Sequence, residues 1–163
     1  MAGQGSNERG KTAENTVDIT LTKLSNETFR VIRLGDKWPL TDMYVEIEYK
    51  GATYFFLIQV KSSTRGFTTK GDLKVNVPKT KINGLAKHKV PTYLLGYDWK
   101  ANEIVAKMFI QTIRGTYSSG ISTMRTSAKY ELNAPNIKKL RKEVIEFWLN
   151  APDLRKRKYK TNF

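Results

Sequence analysis

The segment from Met43 to Lys61, MYVEIEYKGATYFFLIQVK, constrains the fold of this chain more than any other. Two runs rich in β-branched and aromatic residues flank Lys50-Gly51, the pattern of two strands joined by a two-residue turn. With the turn placed there, Tyr49 faces Ala52, Ile47 faces Tyr54, Val45 faces Phe56 and Met43 faces Ile58. These apolar pairs form one continuous face, and a three-residue turn would break them. The other face then carries Asp42 opposite Gln59, with Lys61 two residues further along the same side. Glu46 shares that face, opposite Phe55.

Around the hairpin, the elements alternate in type. Residues 1–10 are Gly-rich and polar and read as a flexible arm. From Lys11 the apolar residues Ala13, Val17, Leu21 and Leu24 recur at helical spacing. Thr28 to Leu34 reads as a strand, and Gly35 to Thr41 carries turn residues. After the hairpin, a polar stretch from Ser62 to Gly71 leads to a short strand, Leu73 to Val77, and a helix over Lys79 to Lys89. Val90 to Tyr97 is nearly all apolar, as expected of a strand covered on both faces. Glu103 to Ile113 is a further candidate strand, and Tyr117 to Ser127 reads as a Ser/Thr/Gly loop. Pro135 to Leu149 is a helix with Ile137, Leu140, Val144, Ile145 and Trp148 on one side, and Asn136 is a candidate cap. The order predicts an α/β domain over residues 11–150 with a mixed central sheet, an extra strand and a C-terminal helix. Residues 151–163 form a basic tail.

Charge narrows the partner. The chain carries 29 Lys and Arg against 15 Asp and Glu, a formal net charge of +14. Cations that meet phosphates release condensed counterions, so nucleic acid is the first candidate and an acidic protein or membrane surface the alternative. There is no Cys, which excludes disulfides, thiolate zinc sites and a Cys nucleophile. A single His, His88, argues against a His-based site, and its segment reads as a surface helix end. Any catalysis must therefore run on carboxylates, Lys and a hard cation. No apolar run approaches a signal peptide or a membrane span, and the expected location is cytoplasmic.

A carboxylate, an amide oxygen and a backbone carbonyl suit Mg²⁺, which keeps several waters and takes few protein ligands. A neighbouring Lys can position or deprotonate an attacking water and offset charge at a phosphate. With Asp42 ahead of a strand and Gln59-Val60-Lys61 closing the next, the sequence resembles the PD-(D/E)XK nuclease superfamily. Within it, the chain is similar to a bacterial group with a QxK motif, in which the first helix carries a Glu and segments like FFLIQVKSS and VPTYLLGYD follow. The resemblance covers roughly residues 11–100. It implies the restriction-endonuclease-like αβββαβ core. It also implies Glu14, Asp42, Gln59 and the Val60 carbonyl as ligands for Mg²⁺ or Mn²⁺, with Lys61 beside the attacking water. Gln59 departs from the Asp or Glu of most members; it supplies an oxygen but no charge. Pro39 is only a loose counterpart of the motif's Pro.

The expected function is metal-dependent hydrolysis of DNA, ahead of RNA, in bacterial defence or mobile-element biology as the resemblance suggests. Lys70, Lys74, Lys79 and Lys81, together with Arg155, Lys156, Arg157 and Lys158, are the candidate phosphate contacts. Ser62, Ser63 and Thr64 directly follow Lys61 and are weaker candidates. The alternatives are a catalytically inactive nuclease fold that binds nucleic acid, a subunit of a homodimer or larger complex, and a basic protein with an acidic partner.

Overall fold

The computed structural model describes residues 2–35, 38, 40–99, 107–150 and 163. The elements run α1 (Ala2–Leu24), β1 (Phe29–Arg33), β2 (Met43–Tyr49), β3 (Ala52–Ser63), β4 (Leu73–Val77), α2 (Lys79–Ala86), β5 (Thr92–Asp98), β6 (Met108–Thr112), β7 (Ile121–Met124) and α3 (Ala134–Leu149). Five strands form a mixed sheet in the order β1-β2-β3-β5-β6, and β4 and β7 pair in a separate two-stranded sheet. Only β3 and β5 run parallel; the other neighbours are antiparallel. Among the described residues the protein is a mixed α/β domain of three helices and a five-stranded central sheet. No described helix is long and apolar enough to cross a membrane.

The hairpin register matches the pairing expected from the apolar alternation, from Tyr49 opposite Ala52 to Met43 opposite Ile58. The reason is local. Lys50 and Gly51 both adopt left-handed backbone angles, φ 51° and 77°. Such a two-residue turn follows the natural twist of the strands, and Gly51 takes its angle without a Cβ penalty. Strand alternation then divides the apolar residues between two cores. Met43, Val45, Ile47, Phe56, Ile58, Tyr93, Leu95 and Ile110 pack against α1 and α3, through Ala13, Val17, Leu21, Leu140 and Val144. On the other face Leu94 and Phe109 meet Ile82 and Leu85 of α2 and Leu73, Val75, Val77 and Met124 of the small sheet. β5 is thus buried on both faces, as its composition predicts.

Several boundaries differ from expectation. Residues 2–10 continue α1 in place of an arm. The hydroxyls of Thr12, Thr16 and Thr20 each donate to the carbonyl four residues back, at 2.9, 2.8 and 2.7 Å, so the helix absorbs its own polar side chains. α2 ends at Ala86, before Lys89. β7 lies inside the stretch read as a loop, with Met124 opposite Leu73 and Ile121 opposite Val77. Asn133, not Asn136, caps α3; its Oδ1 accepts from the Asn136 N–H at 3.0 Å. The Asn136 side chain is buried and donates to the Ala128 and Glu131 carbonyls. The tail residues Arg155, Lys156, Arg157 and Lys158, and the first part of the Glu103–Ile113 segment, lie outside the described residues.

Candidate functional site

Asp42 stands where β2 begins, and four hydrogen bonds fix it. Its N–H donates to the Ile58 carbonyl at 3.0 Å, and its carbonyl accepts from the Leu34 N–H at 2.9 Å. Its carboxylate Oδ2 takes the Val60 N–H at 2.7 Å, extending the ladder past the end of β2. The same oxygen accepts from Nε2 of Gln59, which also donates to the Val60 carbonyl at 3.0 Å. Asp42, Gln59 and Val60 therefore meet at the end of the hairpin away from its turn. Strand parity is the cause: Gln59 and Lys61 share a face, and neither joins the α1–α3 core.

These residues line a cleft of about 350 Å³ with Gly10, Ala13, Glu14, Lys61, Ser62, Asn76 and Lys81. The cleft lies between α1, which supplies Glu14, and the β4–α2 unit, which supplies Asn76 and Lys81. The register of α1 places Glu14 there. Ala13, Val17 and Leu21 are buried on the sheet, and Glu14 follows on the flank of that stripe.

Burial sets the electrostatics. Desolvation raises the pKa of Asp42 above the ordinary carboxyl range, against the opposing pull of the Val60 N–H, Lys81, Lys61 and Gln59. Desolvation also lowers the pKa of Lys61. The positive charge of Lys81 adds to that effect, and Asp42 opposes it.

Gln59 is 1% exposed, and its Oε1 has no hydrogen-bond partner among the described residues. A half-turn of the amide would exchange Oε1 with Nε2. Oε1 would then stand beside Asp42 Oδ2 and the Val60 carbonyl. Three oxygens at one point repel unless a cation joins them, and a hard divalent cation takes this donor set. Glu14 adds a second carboxylate to the same cleft. Among the described residues no group of three or more His, Cys, Asp or Glu is placed to hold a metal. Oxygen donors of this kind suit a water-retaining ion such as Mg²⁺ better than zinc.

The remaining candidates are dispersed. Lys70 and Lys79 are exposed and Lys74 is half-buried; of that group only Lys81 lines the cleft. Ser62 lines it too. Ser63 is buried and its hydroxyl accepts from the Arg65 N–H at 3.3 Å, and Thr64 is exposed. Glu46 pairs with Arg30 at 3.4 Å and takes no part in the cleft. Sequence reasoning missed Asn76 altogether and placed Lys81 on a phosphate-tracking surface. The alternation of β4 marks Asn76 as outward-facing, but no sequence signal shows what it faces. Comparisons with protein-family models, with curated proteins and with solved structures find no match for this chain.

Proposed function

We propose that this domain is a metal-dependent nuclease of the PD-(D/E)XK type that hydrolyses DNA phosphodiester bonds. The observation that carries the reading is the meeting of Asp42 Oδ2, the Gln59 amide and the Val60 carbonyl, in one cleft with Lys61. The element order and the mixed sheet, with β3 and β5 parallel, support it. In this reading Glu14, Asp42, Gln59 and the Val60 carbonyl would hold Mg²⁺ or Mn²⁺. Bound there, such an ion would supply Lewis-acid polarisation of a phosphoryl oxygen. Lys61 acts on the attacking water. Burial and Lys81 both favour its neutral amine, which can accept the proton that water loses as the P–O bond forms. The leaving oxygen departs as the opposite P–O bond breaks.

The test is cleavage of supercoiled plasmid in Mg²⁺ and in Mn²⁺, comparing wild type with Lys61→Ala. Wild type is expected to nick or linearise the plasmid only with metal, and the variant to lose about 100-fold or more in rate. A wild type inert in both metals overturns the enzyme reading, and an unimpaired variant overturns the site.

One observation favours a second reading, an inactive nuclease fold that binds nucleic acid. Gln59 already satisfies Asp42 through Nε2, so the site is closed on itself without any ion. Metal-independent DNA binding with no cleavage is the result expected of that reading.

A further inference from the structure

The β4–α2 unit brings a second lysine to the site, and its placement is built into the packing. Ile82 and Leu85 are fully buried in the second core, which fixes the rotation of α2 about its axis. Asn83 anchors the helix from another side: its Nδ2 donates to the Tyr117 carbonyl at 3.0 Å, and its Oδ1 accepts from the Tyr117 N–H at 2.9 Å. Lys81, beside Ile82 in the first turn, is thereby held half-buried at the cleft. Its charge is felt at both Asp42 and Lys61. Asn76, outward on β4, lines the same cleft.

Two features call for an anion there. Lys81 brings an ammonium to a partly desolvated cleft beside the Asn76 amide, and an anion bound there would pair with it. Among the described residues, no hydrogen bond or ion pair engages the Lys81 ammonium or the Asn76 amide. A tetrahedral phosphodiester matches these donors. Its two non-bridging oxygens share one negative charge, so one can face an ammonium and the other an amide N–H.

We propose that Lys81 and Asn76 form the seat for a phosphodiester of the nucleic-acid substrate, where β4 and α2 line the cleft. The proposal rests on the nuclease reading for what happens next at that phosphate, and stands apart from it for binding. The probe is a thymidine dinucleoside monophosphate, which carries one phosphodiester. It is titrated without metal at low salt while the side-chain amide resonances of the ¹⁵N-labelled protein are followed.

The Asn76 side-chain amide is expected to shift and saturate. Lys81→Met is expected to weaken binding about tenfold, the scale of one charge-assisted contact. Lys81→Arg should restore most of it, and Lys70→Met should change nothing. Asn76→Ala, at an exposed position, gives a second weakened variant that leaves the core intact. In Mn²⁺, Lys81→Met should raise KM for DNA.

An unmoved Asn76 resonance, or Lys81→Met and Asn76→Ala variants that bind like wild type, overturns the seat. If the wild type then still cleaves plasmid, the nuclease reading stands without it. Binding of the probe at Asn76 and Lys81 by a wild type that never cleaves upholds the seat and overturns the enzyme.

Discussion

Gln59 gives the site a neutral member that is a donor in one orientation and an acceptor in the other. Gln59→Glu removes the donor that Asp42 uses and sets two carboxylates together. Without metal the variant is expected to lose about 1–3 kcal/mol, the usual cost of an unsatisfied buried group. With Mn²⁺ it should gain more in melting temperature than wild type does. Thermal unfolding with and without the ion checks both, and equal metal responses would exclude Gln59 from the ligand set. Asp42 makes a pH prediction. Its folded-state pKa is raised, so the native state holds the proton more tightly than the unfolded chain. Its contribution to stability is therefore largest below the ordinary carboxyl value and is lost as pH rises through the folded value. Asp42→Asn never ionises, and a turned Gln59 can accept from its amide. The melting temperature of the variant minus that of wild type, in metal-free buffer, should grow from acid to neutral pH; a flat difference would contradict the assigned burial. The meeting of Asp42 and Gln59 was legible in the sequence because a two-residue turn fixes strand parity, and parity fixes the face. Lys81 was legible as a phosphate contact but not as a member of the cleft, and Asn76 was not legible at all, because both placements depend on how the β4–α2 unit packs on the sheet.

Elements were legible in proportion to their periodicity. The hairpin and α3 have strong patterns and emerged almost where expected. β7 did not, because Ile121-Ser-Thr-Met124 has only two apolar residues, and they become strand-like only against Leu73 and Val77. The start of α1 was hidden by Gly3, Gly5 and Gly10, which lower intrinsic helix preference without forbidding the helix. The small sheet also controls α2. A Cβ on Gly120 would come within 2.5 Å of the Val77 carbonyl oxygen and 3.3 Å of the Lys79 nitrogen. Both belong to backbone at the β4–α2 junction, which cannot yield as a side-chain tip can. Gly120→Ala is expected to cost about 1–3 kcal/mol and to move the start of α2. Denaturant unfolding measures the first effect. A weakened dinucleotide affinity, with Lys81 itself unaltered, measures the second.

At the scale of the molecule, a sheet covered on both faces holds a cleft at one end of the hairpin, within a chain of net charge +14. Duplex DNA affinity should therefore fall steeply with salt. If about four phosphates are neutralised, the fall between about 50 and 200 mM monovalent salt is about 100-fold, by counterion release. Fluorescence anisotropy across that range checks it, and a shallow slope would point instead to an acidic protein partner. The sequence displayed the charge but not its arrangement, since charge runs carry no information on which side of a sheet they come to lie. The hairpin has one further consequence, in heredity. From Asp42 to Lys61 the chain keeps Asp42 on the same face as Gln59 only while the count between them is preserved. A single-codon insertion or deletion there that shifts the pairing by one residue turns the carboxylate away from its partner and its apolar neighbours out of the core. The corresponding stretch of the gene should drift by substitution and resist changes of length.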